Sequence, residues 1–278
     1  MKALLAAALI AAATTAHAGR PCEQKPAEAA SVERGMNLAA ATAKQLDASG
    51  AQVVLLARAG QDLGKYGLRY SHLGFVYREQ AGGRPVWRVM HKLNHCGTAD
   101  AALYRQGLGE FFLDNPHRYE AAFVVLSAEL QAKLLPLLRD NQRAALLNER
   151  HYNMVAYPWS TRYQQSNQWA LETLAAAADG ARDRAQVETS VQERSGPALL
   201  AAERARAQAW LIRQGYQPTP LKLGAFSRLG ARATSANIAF DDHPNEKRFA
   251  DRIETVTVDS MFEWLARSGW GATPVTVR

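Results

Sequence analysis

Residues 70–79 (YSHLGFVYRE), the turn Ala81-Gly82-Gly83-Arg84 and residues 85–93 (PVWRVMHKL) decide the fold. Both flanking stretches are rich in β-branched and aromatic residues and alternate well enough to be strands. The paired glycines supply the positive φ that a tight two-residue turn demands, so the chain reverses and the strands pair as an antiparallel hairpin. Working outward, residues 52–58 (QVVLLAR) predict a strand before the hairpin and residues 119–126 (YEAAFVVL) a fourth one after it. Residues 31–49 predict a helix with Ser31 as N-cap, apolar positions at Val32, Met36, Ala39, Ala43 and Leu46, and Gly50 as its stop.

Downstream, Ser127 is placed to cap a long helix reaching about residue 147, with a leucine stripe and a kink at Pro136. Residues 152–165 (YNMVAYPWSTRYQQ) are aromatic and turn-rich, and Ser166 is placed to cap a helix through residue 178. Residues 179–196 are polar and read as a linker. An amphipathic helix over 197–214, strands over 235–240 and 253–258, and a helix over 260–267 follow. The expected class is α+β: a small antiparallel sheet packed by helices in the segment 19–178, then a C-terminal extension over 197–278 that packs on it.

The chain has 278 residues, 47% apolar and 21% charged, which excludes low-complexity disorder, collagen and coiled coil. Residues 1–18 stand apart. Met1 and Lys2 are followed by an apolar run over residues 3–13 and by Ala16-His17-Ala18, the pattern of a cleaved secretory signal. A membrane span needs about 18–20 apolar residues, and this run is shorter. The mature protein is therefore expected in the periplasm or secreted, with no stable membrane insertion after cleavage.

Export changes how Cys22 and Cys96 are read, because an even number of cysteines in an oxidising compartment favours pairing. A Cys22–Cys96 disulfide is expected, and closing a loop of that length would contribute about 4 kcal/mol on the chain-entropy estimate; the alternative is a reactive Cys96 thiol beside His95. The chain carries 33 basic and 26 acidic residues, a mild and scattered excess. The densest basic group, Arg204, Arg206 and Arg213, is interleaved with Glu203 and reads as a solvated helix face. No nucleic-acid partner is expected, since no concentrated basic stripe with stacking aromatics exists. A small-molecule, peptide or cell-envelope ligand fits better.

No Walker or dinucleotide glycine loop, C-x-x-C, H-E-x-x-H or G-x-S-x-G elbow is present. His72 and His91 stand out among the histidines because the hairpin places them on adjacent strands, where neighbours lie about 5 Å apart. A general base and the group that orients it need that proximity. His91 and His95 are four apart, a zinc spacing on a helix, but the strand expectation for 85–93 argues against it and Cys96 is claimed by the disulfide. Asp241-Asp242-His243-Pro244 reads more plainly as an Asp-stabilised turn than as a ligand set. No metal and no cofactor are expected.

The hairpin resembles the histidine hairpin of NlpC-type, papain-like peptidases and amidases: Ser71-His72-Leu73-Gly74-Phe75-Val76-Tyr77, a Gly-Gly turn, then Val89-Met90-His91. Tyr152-Asn153 and Ser166-Asn167-Gln168-Trp169 resemble the later helix of the circularly permuted branch. The resemblance implies a permuted papain-like arrangement with His72 as base, His91 as orienting group and Ser166 at the nucleophile position. The family's cysteine is a serine here, which changes the nucleophile or ends the chemistry. Gln165 and Tyr152 are then expected to help the oxyanion or position the substrate. Trp159, Tyr163 and Trp169 are expected either to line a groove or to belong to the core.

The mature chain also resembles an uncharacterised family of exported bacterial proteins, the domain of unknown function numbered 2145. That likeness runs through Arg69-Tyr70-Ser71-His72, Leu103-Tyr104-Arg105-Gln106-Gly107, Asn167-Gln168-Trp169 and Phe240-Asp241-Asp242-His243-Pro244. It implies no activity. The expected function is hydrolysis of an amide or ester bond by a Ser166/His72/His91 site. The alternative is a non-catalytic descendant of the fold that binds an envelope ligand or protein.

Overall fold

The computed structural model describes residues 28–180 and 196–278. Cys22, the proposed signal segment 1–18 and nearly all of the linker 179–196 lie outside the described residues, and so does the Cys22–Cys96 pairing. The fold is α+β. Its centre is a six-stranded antiparallel sheet in the order β4-β3-β2-β1-β5-β8. The strands are β1 (Val53–Arg58), β2 (His72–Ala81), β3 (Arg84–Asn94), β4 (Ala101–Gly107), β5 (Ala121–Val125) and β8 (Val275–Val277).

The central strand β1 is buried along its whole length, which is why residues 52–58 read as a continuous apolar run rather than an alternation. Helices cover both faces of the sheet. On one side, Val54, Leu56, Val76 and Val89 pack against α1 (Ala29–Ser49) and α2 (Leu108–Phe112). On the other, Val53, Leu55, Leu73, Phe75 and Met90 pack against α3 (Ala128–Arg139), α5 (Ser166–Asp179), α6 (Pro197–Arg213) and α9 (Val258–Ser268). A separate two-stranded sheet pairs β6 (Thr219–Lys222) with β7 (Arg252–Thr255), and between them in sequence lie α7 (Ala225–Thr234) and α8 (Asn245–Phe249).

The hairpin forms as its sequence dictates. Gly82 (φ 57°) and Gly83 (φ 75°) occupy the turn, and Ala81 pairs with Arg84. Gly50 ends α1 in the left-handed conformation, and Ser127 Oγ caps α3 by accepting Leu130 N–H.

Four expectations are corrected, and three strands are added. Helix α1 starts at Ala29, two residues before Ser31, with Glu28 at its N-cap and no side-chain cap. The helix expected to reach residue 147 stops at Arg139 instead. Asp140 turns extended, and its carboxylate accepts Gln142 and Arg143 N–H, starting α4 (Asn141–Ala145) afresh. Gln165, not Ser166, caps α5. Residues 235–240 form no strand; Asn153 satisfies their backbone by donating to Ala239 O and accepting Ala239 N–H. Strands β4, β6 and β8 were not anticipated, because two are only three or four residues long and β4 is a half-exposed strand at the sheet's edge.

Candidate functional site

The hairpin brings the two histidines together. His72 opens β2 opposite Arg58, and His91 sits in β3 facing Gly74, where a Cβ would lie 2.9 Å from His91 Cβ and from Met90 O. Glycine at position 74 is therefore what lets the His91 ring cross over β2. His91 Nε2 meets Gln106 Oε1 at 2.8 Å, so that nitrogen carries the proton. His91 Nδ1 is then an acceptor, and His72 Nε2–H donates to it at 2.8 Å. This chain of bonds leaves His72 Nδ1 as a bare lone pair on a half-buried ring.

Phe111 of α2 closes the cluster, 5.3 Å from the His91 ring and 6.0 Å from the His72 ring. Arg58 stacks 4.8 Å from Phe111, donates to its carbonyl and holds Asp114 at 2.6 Å. Burial, followed by the Arg58 charge, lowers the pKa of His91 from its ordinary 6.5 to about 4 and that of His72 well below 6.5. Both rings are neutral at pH 7.

Ser166 lies elsewhere. Successive side chains of a strand point to opposite faces. Leu73 and Phe75 belong to the face covered by α5, where Trp169 meets Phe75 edge-on at 5.8 Å. His72 and His91 meet Phe111, which packs with Val54, Leu56 and Val76 on the other face. The sheet thus separates the serine from both histidines, and the three do not form a triad. Tyr152 lies beside Ser166, and burial pushes its phenol up.

The other sequence-chosen residues are committed to structure. Gln165 accepts Asn167 N–H at 3.0 Å and donates to Thr255 Oγ1 and Val256 O, so it is not free to serve an oxyanion. Asn167 Oδ1 accepts Leu73 N–H at 3.2 Å and ties α5 to β2. Trp169 is a core residue, Trp159 packs on Tyr216, and Tyr163 donates to Asp241, so the three line no common groove.

Sequence reasoning missed a buried polar network on the α5 face. Glu172 receives Arg204 Nε at 2.8 Å, Gln164 Nε2 at 2.6 Å, Gln208 Nε2 at 2.7 Å and Gln168 Nε2 at 3.1 Å. Arg204 also donates to the carbonyls of Ser160, Thr161 and Tyr163. Its placement on a solvated face is corrected: Arg204 is fully buried. Lys92 joins the network through Gln164 Oε1 and Glu149 O, and burial, helped by the Arg204 charge, lowers its pKa from 10.5 to about 7. The signal was a single acid, Glu172, inside the otherwise apolar middle of helix 166–178.

Among the described residues, no group of three or more His, Cys, Asp or Glu side chains is arranged to hold a metal ion. Cys96 and His95 sit in the turn after β3. His243 is tied to Asp242 Oδ1 at 3.0 Å and Glu254 O at 2.9 Å, while Asp242 Oδ2 accepts Tyr157 N–H, so Asp241-Asp242-His243-Pro244 is a knotted turn.

A concave surface of about 370 Å³ opens at the end of the sheet, lined by Gly67, Leu68, Arg69, Arg118, Glu120 and Arg278. Glu120 holds Arg69 at 2.7 Å and Arg278 at 2.9 Å, each through Nε, with Arg118 at 3.8 Å. Chiefly through Arg69, these guanidiniums lower the Glu120 pKa to about 2. Glu120 thus anchors three guanidiniums, and Asp259 accepts Arg69 N–H at 3.3 Å, so the cluster sets two acids against three cations.

A family model described as an uncharacterised protein conserved in bacteria, DUF2145, matches residues 45–265. The chain belongs to this family. No curated protein and no solved structure matches it significantly. The DUF2145 match spans β1 to α9, so it takes in the histidine cluster, the Glu172 network and most of the arginine-lined cavity. No helix among the described residues is long and apolar enough to cross a membrane.

Proposed function

We propose that this DUF2145 protein is an exported binding protein, a non-catalytic relative of the papain-like group that its histidine hairpin resembles. Its ligand is an anionic cell-envelope molecule or partner held at the cavity of Arg69, Arg118 and Arg278. One observation carries the choice of binding over hydrolysis: the sheet stands between Ser166 and the two histidines, so the serine has no base to take its proton. Export is supported by the pattern of residues 1–18, and the ligand's charge by three guanidiniums set against the two carboxylates of Glu120 and Asp259.

The hydrolase reading keeps one feature in its favour. The Gln106–His91–His72 chain fixes the tautomer that a general base needs, with a lone pair left on His72 Nδ1. Labelling with a fluorophosphonate followed by intact-mass measurement separates the two readings. The expected result is no Ser166 adduct; an adduct at Ser166 that disappears in His72→Ala would overturn the binding proposal. A thermal-shift series with phosphate and citrate tests the cavity, and stabilisation is expected to be lost in Arg118→Gln.

A further inference from the structure

Helix α7 is turned outside in. Phe226, Leu229, Gly230 and Ala233 recur at the helical spacing i, i+3, i+4, i+7, yet this apolar face meets water: Phe226 is 92% exposed and Leu229 68%. Arg228, on the far side of the helix, faces inward while Arg232 stays exposed. The Arg228 side chain is only 12% exposed, bonded to Asp251 Oδ1 at 2.6 Å and to Leu223 O. No residue of α7 is buried. Isolated helices shorter than about 12–15 residues are marginal in water, so a ten-residue helix that displays its apolar stripe has a face built for something else.

Phe249, the last residue of α8, is 72% exposed and two residues from the Asp251 that anchors Arg228, so it belongs to the same corner. The corner is basic. Arg228 is matched by Asp251, Lys247 and Arg252 share Glu254, and Arg248 stands against Glu246 on α8, so the exposed Lys222 and Arg232 carry the excess.

We propose that this corner is a membrane-docking surface, in which α7 lies along an anionic bilayer with Phe226, Leu229 and Phe249 at the headgroup–acyl boundary and Lys222, Arg232 and Arg248 on lipid phosphates. Charge selects this occupant. A second copy would set one basic corner, on a chain of net charge +7, against another, whereas a layer of anionic phosphates neutralises it. A helix of this length lies on a bilayer and does not span it. The inference concerns a different surface from the arginine-lined cavity and stands or falls separately from the binding proposal.

The test is co-sedimentation of the mature chain with vesicles of phosphatidylethanolamine and phosphatidylglycerol, and with vesicles of phosphatidylcholine alone. Pelleting is expected with the anionic vesicles only. In Phe226→Ser/Phe249→Ser the bound fraction is expected to drop about fivefold or more, because the inserted apolar area is gone, with the melting temperature little changed, since Phe226 is 92% exposed and the Phe249 ring, 72% exposed, meets the Arg248 guanidinium. Three results would each overturn the proposal: no pelleting with anionic vesicles, equal pelleting with phosphatidylcholine, or undiminished pelleting of the double variant. A dimer in light scattering that the double variant dissolves would also overturn it by assigning the face to a second copy.

Discussion

The two faces of the central sheet each bury a polar cluster, and the clusters are built on opposite principles. On the α5 side, Glu172 is bonded by Arg204 and three glutamines, and Arg204 reaches three backbone carbonyls besides. That network is charged, enclosed and nearly saturated, with Gln168 Oε1 left without a partner. On the α2 side, His72, His91 and Gln106 form a neutral chain with one lone pair left over at its half-buried end. The difference teaches where reactivity is possible: an ionic network whose charges are paired holds helices together, while a neutral chain that ends in a basic ring nitrogen can still take a proton.

The largest expected effect breaks the charged side. Arg204→Met leaves Glu172 buried without its cation and is expected to cost about 3–5 kcal/mol in urea unfolding. Adding Glu172→Gln in the same chain recovers part of that loss, because the uncompensated charge is gone. A loss below about 1 kcal/mol for Arg204→Met would mean that water reaches the network and that the two faces differ less than described.

The second prediction uses pH to address the faces one at a time. His91 and Lys92 are neighbours in β3 that point to opposite faces, and the fold lowers the pKa of both. For each, the unfolded chain binds the extra proton, so stability rises with pH between the folded and unfolded pKa values. The His91 contribution is complete above pH 6.5 and is lost as the pH falls toward 4. The Lys92 penalty is present at pH 7 and is relieved as the pH rises toward 10.5. Stability curves should therefore flatten only on the acid limb in His91→Gln and only on the alkaline limb in Lys92→Met. One substitution flattening both limbs would show the faces to be coupled.

The smallest effect tests the separation itself. Ser166→Ala removes a buried hydroxyl beside Tyr152 and is expected to cost about 1 kcal/mol at most. The imidazole NMR resonances of His72 and His91 should not move. A shift in either ring would place the serine in contact with the histidines and undo the comparison.

Much of the frame was legible in the chain. The Gly82-Gly83 turn, the hairpin strands, the Gly50 stop and the Ser127 cap each rest on chemistry confined to a few neighbouring residues. The His72–His91 contact followed from the hairpin alone. What escaped depended on distant partners. Gln165 caps α5 because Thr255 and Val256, ninety residues away, fix its side chain. Arg204 looks like a surface arginine until α6 lies against Glu172 of α5. The three-residue strand β8 has no pattern of its own and exists because β5 offers it a free edge.

By itself, then, the sequence determined the α+β class, the hairpin and the pairing of its two histidines, since these follow from alternation, turn chemistry and neighbouring strands. Only the tertiary structure decided that Ser166 and His72 lie on opposite sides of the sheet. Residues 72–77 (HLGFVY) carry apolar side chains toward both faces, so alternation shows that His72 and Leu73 diverge but not which of the two will meet α5. That choice was made by the packing of Trp169 on Phe75 and of Phe111 on the histidines, contacts between segments far apart in the chain.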